Sequence, residues 1–569
     1  MSEKNLYKDF KAIRIKHQAD GTMPMHYTTA AVQMFWTKYL YEATTVKEQF
    51  ERIAKTAAKH LPVDIREKAN EKFFDMLWNG WLSPSTPVLA NMGTSRGLPV
   101  SCSGGLIADS VYGFYRHNLE SAVLTQKGFG TSGYLGDIRP RGSMISNGGK
   151  ASGVLDVFRQ MVDTMRRVSQ GTARRGAYAG YLPIDHGDFD ELCDYIQANP
   201  DDANIGWVIK DDFIAKLVAQ EPDAIRRFQK SLKLKMVTGK GYYHLHGNSN
   251  RQSPQMYKDR GLEVKASNLC QEIHLHSGVV DGEDHTFTCV LSSLNLAKYD
   301  EWKYTDTIFW ATIFLDCVAS EFIEKGKNVP GIEAAIRSTE KSRALGLGVC
   351  GFHTYLQSNM MPFESLEAQF FNSSVFKEIS EKSLEASQYL AELLGEPEWC
   401  KGYGVRNTHR MAIAPTKSSA IFMGNVSEGI NPDPAMTMTQ LTSSGEIEKI
   451  NSELVKLMRE KDCYSKKNIQ EVIDAEGSVQ GVDWLTDEEK TVFKTAFEIN
   501  QEVVIRLASQ RQKYIDQGQS LNLFFDANED ERWIGHIHRL AFIDPYLKGT
   551  YYIYSKANIK GSKDCVACS

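Results

Sequence analysis

The sequence predicts an α/β protein: one large body of alternating strands and helices behind a helical N-terminal segment. Three features carry that expectation. Residues 1 to about 80 hold apolar positions at helical spacing, and residues 185–245 alternate helical with short extended patterns. Beyond residue 285, apolar strand-like runs (286–295, 411–420 and 510–525) are separated by long helical stretches. A chain of 569 residues has room for such a body with appendages, or for roughly two to four ordinary domains.

Taken in order, Val32, Phe35, Tyr39, Ala43, Val46 and Phe50 mark one helical region, and Phe73, Phe74, Leu77 and Trp78 a second. Leu82-Ser-Pro-Ser-Thr-Pro-Val-Leu89 then breaks the helix, because two prolines force an extended path. Cys102 lies between strand-like Pro99-Val100 and the pair Gly104-Gly105. The Gly-rich run Gly128-Phe-Gly-Thr-Ser-Gly133 opens no clear βαβ unit, so a dinucleotide-binding Rossmann reading is rejected. A helix from about Val154 to Val168 leads into Ser169-Gln-Gly-Thr-Ala-Arg-Arg-Gly176, a small-residue loop with two cations. Helices are expected over 304–324, 363–394 and most of 440–512. Between them, the apolar run from Met411 ends in Thr416-Lys417-Ser418-Ser419. Its hydroxyls and helix-start N–H groups suit either a phosphate or an ordinary cap.

Composition excludes several classes. Hydrophobic content of 42%, charged content of 24% and a net charge of −5 describe a globular chain with no global pull towards nucleic acid or anionic membranes. The N-terminus lacks the apolar core of a secretory signal. The most apolar helical run, Ile308–Ala319, carries Asp316 and is too short to span a bilayer, so a cytoplasmic location is expected. Ten widely spaced cysteines make no disulfide scaffold.

Two stretches carry chemistry. If Ser267-Asn268-Leu269-Cys270-Gln271-Glu272 is extended, Asn268, Cys270 and Glu272 share a face: an amide, a thiol and a carboxylate. The bland alternative is a buried strand cysteine with polar neighbours. The second is the terminal Cys565-Val-Ala-Cys568, a pair able to close a disulfide or hold half a zinc site. No further zinc ligands flank it, and Gly561, Ser562 and nearby lysines suggest a mobile arm, so a thiol shuttle is preferred to a metal.

From Leu82 to Ser569 these pieces arrive in an order that resembles the large, catalytic subunit of class I ribonucleotide reductase. They are LSPSTPVLANMGT, Ser101-Cys102, the Gly-rich run, SQGTARRGA, SNLCQEI, TCVLSSLNLA, VRNTHRMAIAPTKSS, QKYIDQGQSLNLF, LKGTYY and the cysteine tail. The resemblance implies a ten-stranded α/β barrel of two five-stranded halves with a central finger loop, preceded by a helical domain. The divisions expected are 1–81, 82–550, and 551–569 for relay tyrosines and tail. It implies that Cys270 is the thiyl-radical site, Glu272 the base on the 3′-hydroxyl and Asn268 a substrate hydrogen-bonder. Cys102 and Cys289 become the local dithiol, re-reduced by Cys565 and Cys568 with thioredoxin or glutaredoxin behind them. That exchange fits general thiol chemistry.

Tyr551 and Tyr552, otherwise ordinary strand packing, become the relay from a small, metal-containing, radical-generating subunit. No cofactor or metal is expected to be held by this chain. Thr86, Ser101, Thr416, Lys417, Ser418 and Ser419 fall at substrate-binding positions for a ribonucleoside diphosphate. Asp109, Arg139, Arg174 and Arg175 fall where dNTP or ATP effectors are read at a homodimer interface. Too little chain precedes Leu82 for the family's ATP-cone in addition to the helical domain, so no overall-activity site is expected. The doubled cation Arg174-Arg175 is expected to alter effector rules, and Tyr554 has no assigned role.

Overall fold

The computed structural model describes residues 3–146, 148–170, 174–442 and 445–556. Helices Glu3–Ala19, Thr29–Met34, Val46–Ala58 and Val63–Trp78 form the N-terminal part. Thr28 and Thr45 cap the second and third, each hydroxyl accepting a first-turn backbone N–H. The third and fourth helices lean on the long helix Thr307–Gly326, where Phe73 meets Phe314 edge-on at 5.3 Å between ring centroids.

The first half of the barrel is a parallel sheet of five strands in spatial order: Cys102–Leu106, Gly130–Tyr134, Tyr178–Pro183, Asn204–Ile209 and Tyr242–Leu245. Almost every residue in it is buried, as a parallel sheet covered on both faces requires. An antiparallel strand closes each edge: Phe287–Cys289 beside the Cys102 strand and Gly549–Thr550 beside the Tyr242 strand. The glycines of the 128–133 run serve packing. A Cβ on Gly133 would collide with the Tyr178 hydroxyl and with His117.

In the second half, Leu291–Asn295 pairs parallel with Gly346–Cys350 and antiparallel with Leu82–Pro84. The parallel ladder continues through single bridges, Leu347 to Met411 and Ile413 to Gln519. The strand expected within 411–420 is therefore an extended crossing with isolated pairing, followed by the helix Lys417–Phe422. The strand expected over 510–525 narrows to Leu523–Phe525, because the helix Gln501–Gln512 runs to its start. The extended path through the two prolines stops at Pro84. Pro87 instead sits in the first turn of the helix Thr86–Asn91, where its missing N–H has no partner to lose. The 440–512 region opens with a β-hairpin, Thr437–Thr442 with Gly445–Ile450, before its helices.

Asp316, the charge inside the apolar helix, accepts from Arg343, Arg406 and Asn407. Burial alone would raise its carboxyl, but the two guanidinium groups hold it down at about 2. Among the described residues no helix is long and apolar enough to cross a membrane.

The helix Val111–Gln126 turns a polar face to the sheet. His117 lies 3.2 Å from the Tyr178 hydroxyl, and Thr286 donates to Glu120 at 2.8 Å. Burial pushes the Glu120 carboxyl up from 4.5 to about 7, against the Thr286 hydrogen bond and Arg116. A carboxyl with a raised folded-state pKa adds stability that is present below the unfolded value and lost as pH rises through the folded one. Glu120→Gln is therefore expected to remove a pH-dependent loss on the order of 3 kcal/mol between pH 4.5 and about 7. Chemical denaturation of both proteins across that range checks it; parallel stability curves refute it.

Candidate active site

The stretch around Cys270 is a buried loop with a tight turn, and the expected strand is not formed. Residues 262–277 carry no helix or strand, yet Asn268, Cys270 and Glu272 are all buried. The Gln271 N–H donates to the Asn268 carbonyl at 3.3 Å, and Gln271 takes a left-handed φ of 66°. The cause is Asn268 itself. Its Oδ1 accepts from the backbone N–H groups of Glu272 and Ile273, both at 3.1 Å, and folds the chain back. Strand alternation is thus not what relates the three residues. Cys270 lies within a turn whose two feet, Asn268 and Glu272, are bonded to each other.

Both barrel halves hold this turn. From the first, Ser132 donates to the Ser267 carbonyl at 2.8 Å, and the Tyr181 hydroxyl lies 2.6 Å from the Asn268 carbonyl and 2.8 Å from Gln271 Oε1. From the second, Ser520 Oγ lies 2.6 Å from the Cys270 carbonyl and 3.3 Å from Glu272 Oε2. The Gly518 N–H donates to the Glu272 carbonyl at 2.8 Å. Asn268 Nδ2, fully buried, has no hydrogen-bond partner in the protein, so a donor is presented where a ligand can use it.

Cys102 and Cys289 face each other directly in the antiparallel ladder that closes the first half. Opposed residues in such a ladder have Cα atoms about 4.5–5.5 Å apart, within disulfide reach. Burial raises the Tyr181 phenol well above its ordinary value, with Glu272, Cys270 and Cys102 adding to the rise. One protonated hydroxyl thus lies within electrostatic range of the carboxylate and of both kinds of thiol.

Tyr551 and Tyr552 have ring centroids 4.1 Å apart, and Tyr551 shares an apolar cluster with Leu269 and Cys270. Tyr242 joins them, 4.7 Å from Tyr551 and 5.3 Å from Tyr552. Buried Lys235 donates to the Tyr551 carbonyl and to that of Gly241, and burial pushes its ammonium down to about 7. Tyr554 stacks on Phe524 at 5.2 Å, which gives it a packing role.

Thr416 takes a left-handed φ of 57°, and its hydroxyl accepts from the Gly429 N–H at 2.6 Å, so it does not cap the helix Lys417–Phe422. Ser418 is buried with its hydroxyl lacking a hydrogen-bond partner, Ser419 is buried and Lys417 is half-buried. Asn431, two residues beyond Gly429, donates to the carbonyl of Ser520, which ties this turn to the one at Cys270. Thr86 begins its short helix, and Ser101 precedes the Cys102 strand.

Asp109 and Arg139 pair with each other at 2.5 Å beyond the end of that strand, away from the thiols in sequence and partly exposed. The Arg174–Arg175 backbone forms a two-residue ladder with Ser169–Gln170. Their side chains, and all of Cys565 and Cys568, lie outside the described residues. Sequence reasoning missed Tyr181 and Tyr242, which no local spacing marks; Gln271 and Ser520 lay inside quoted motifs but were given no role.

Comparison with known proteins agrees with this geometry. Residues 25–97 match the family described as the all-alpha domain of ribonucleotide reductase, and residues 100–225, 219–400 and 396–553 match its barrel domain. The chain is 31% identical over 532 residues to a putative ribonucleoside-diphosphate reductase large subunit of Frog virus 3, covering 88% of this chain and 92% of the relative. It is 30% identical over 597 residues to the corresponding large subunit of Invertebrate iridescent virus 3, again covering 88% and 92%. The class Id ribonucleotide reductase alpha subunit of Actinobacillus ureae superposes with a TM-score of 0.87 at 39% identity, over 95% of this chain and 99% of that one.

Tyr181→Phe removes the hydroxyl at the Asn268 carbonyl and Gln271 Oε1. The variant is expected to lose about 1–3 kcal/mol and to show faster amide exchange at Gln271, Glu272 and Ile273. Exchange at the wild-type rate would show that the phenol does not hold the turn.

Proposed function

Because the chain belongs to the ribonucleotide reductase large-subunit family and so catalyses reduction of ribonucleotides, we propose that Cys270 is its radical centre. As a thiyl, Cys270 takes the 3′-hydrogen of the substrate, while Glu272 accepts the 3′-hydroxyl proton and Asn268 Nδ2 donates to the substrate. The 2′-hydroxyl leaves as water. Cys102 and Cys289 supply two electrons and two protons and become joined as a disulfide. Cys270 then returns its hydrogen to C3′ and is a thiyl again, and Glu272 gives the proton back to the 3′-oxygen. The observation that carries this reading is the direct opposition of Cys102 and Cys289 in one ladder, around the same phenol as Cys270 and Glu272.

The substrate proposed is a ribonucleoside diphosphate, its phosphates received by Thr416, Lys417, Ser418 and Ser419, with Thr86 and Ser101 beside it. The unpartnered Ser418 hydroxyl and the uncapped turn support that assignment. Tyr551 and Tyr552 pass the radical from a metal-containing small subunit, and Cys565 with Cys568 exchanges with the buried disulfide and then with thioredoxin or glutaredoxin.

Asp109, Arg139, Arg174 and Arg175 are proposed to read dNTP or ATP effectors at the interface of a homodimer. The exposed Tyr112, Tyr115 and Leu119 support a helix-mediated interface, since they recur at helical spacing along Val111–Gln126. A cytoplasmic setting accords with the thiol chemistry.

The test is conversion of CDP to dCDP with the cognate small subunit, an effector and thioredoxin. Cys270→Ser is expected to abolish turnover with nucleotide binding intact, and measurable reduction by that variant would sink the radical assignment. No activity in either protein, with a competent radical in the partner, favours a silent nucleotide sensor. Cys565→Ser with Cys568→Ser is expected to leave a single reductive event per site; sustained thioredoxin-driven turnover would refute the shuttle.

A further inference from the structure

The loop that carries Cys270 ends on a hydroxyl that touches both strands of the cysteine pair. Ser277 donates from Oγ to the Gly104 carbonyl at 2.5 Å and accepts from the Phe287 N–H at 3.0 Å. Gly104 and Phe287 are register partners in the ladder that sets Cys289 on Cys102, two residues along. The strands meet closely there: a Cβ on Gly104 would fall 2.3 Å from the Phe287 ring and 2.6 Å from Ser132 Oγ. Ser132, the register partner of Gly104 in the next strand, holds the Ser267 carbonyl at the other end of the loop. One rung of the first half-barrel thus anchors the Cys270 loop at both ends, and at Ser277 the anchor also reaches the Cys289 strand.

In an antiparallel ladder, pairs two residues apart are of the same kind and lie about 7 Å apart along the strands. Ser277 engages the carbonyl of one partner and the N–H of the other, so it fixes spacing and register one repeat away from the thiols. Other ties hold the Cys289 strand from outside. Thr286 bonds Glu120, and the Thr288 and Thr339 hydroxyls lie 2.6 Å apart. Both lead to helices, Val111–Gln126 and Glu333–Ser342, whereas Ser277 leads to the Cys102 strand and the loop of Cys270. The ordinary reading is that a serine at a loop end satisfies the nearest backbone groups. That explains each bond singly. It gives no reason for both to fall on facing residues of the ladder that carries the cysteine pair.

We propose that Ser277 is the positioning residue of the Cys102–Cys289 pair. The inference rests on reading those two cysteines as the local dithiol. In each turnover each thiol gives one proton and one electron to the substrate, whose 2′-hydroxyl leaves as water. The two sulfurs bond and draw in to about 2.05 Å. The ladder has to take up that change without slipping, since a slip of one residue would turn Cys289 to the other face. A hydroxyl that holds Gly104 and Phe287 together keeps the thiols opposed before the bond forms, and so favours the disulfide. It also gives the dithiol and Cys270 a common fixed point. Hydrogen abstraction at C3′ and reduction at C2′ take place on adjacent carbons of one ribose, so the two sites have to keep their separation.

The experiment compares wild type with Ser277→Ala, Ser277→Thr and Ser277→Val in the full-length protein with its cognate small subunit. Threonine and valine are close in shape and differ in the hydroxyl, so packing is matched between the last two. Steady-state turnover of CDP gives kcat and KM. Differential alkylation with peptide mass spectrometry reads the Cys102–Cys289 disulfide in two settings: after CDP turnover to exhaustion without external reductant, and in graded mixtures of reduced and oxidised dithiothreitol. Ser277→Ala and Ser277→Val are expected to lower kcat about tenfold with KM for CDP unchanged. They are also expected to shift the redox equilibrium about tenfold towards the dithiol, about 30 mV for two electrons. Ser277→Thr is expected to stay within about twofold of wild type in both readouts. Wild-type kcat or a wild-type redox equilibrium in Ser277→Ala, or equal losses in Ser277→Thr and Ser277→Val, would overturn this inference and leave the dithiol assignment standing. Absence of a Cys102–Cys289 disulfide in the wild-type protein after turnover would overturn both.

Discussion

The turn at Cys270 has no helix or strand to satisfy its backbone, and it lies in the centre of the molecule. A buried chain in that position is tolerable only when its polar groups find partners. Here they come from opposite sides: Ser132 and Tyr181 from the first half-barrel, Ser520 and Gly518 from the second. The Cys270 carbonyl is bonded from one half and the Asn268 carbonyl from the other. Any relative shift of the halves would break one of these bonds, so the position of the thiol is set by barrel closure. The Asn268 side chain completes the constraint within the loop: its carbonyl oxygen accepts from Glu272 and Ile273, and its NH2 has no partner in the protein.

Closure also makes the cysteine pair. Strands within the first half run parallel, and each neighbour in such a sheet arrives through a helical crossover. Phe287–Cys289 comes instead from chain beyond the finger loop and adds to the free edge antiparallel, in a register that sets Cys289 on Cys102. A slip of one residue would turn Cys289 to the other face of the sheet. Thr286, just before this strand, is bonded to Glu120 on the helix Val111–Gln126, so the register has a tether outside the ladder.

The sequence was most legible where residue type alone limits the chemistry. Cys270, Glu272 and Asn268 lie within one short motif, and the long helices at 307–326 and 366–394 followed from apolar spacing. The barrel and the helical segment before it were expected from an ordered set of motifs, and the family matches bear that out. The conformation of the motif was misjudged, because alternation of side chains suggests a strand and nothing local reveals that Asn268 will bond two N–H groups ahead of it. Met411–Ile413 and Gln519 likewise carry strand-like residues but pair only through isolated bridges. Tyr181, Tyr242 and Ser520 act through contacts with residues far along the chain, and no window of sequence contains both partners.

Behind the turn lie two buried imidazoles, with the buried ammonium of Lys548 near enough to act on both. His244 and His274 stack with ring centroids 5.0 Å apart, and burial first, then neighbouring cations and imidazoles, holds both in the neutral form, His274 at about 3. The hydrogen bonds define the tautomer of His274. Nε2 lies 3.2 Å from the Gln271 carbonyl, which can only accept, so Nε2 carries the proton and Nδ1 accepts from Ser249 at 2.9 Å. A neutral imidazole that donates to the Gln271 carbonyl supports the left-handed turn residue from behind, while Ser520 contacts Glu272 Oε2 from the second half of the barrel.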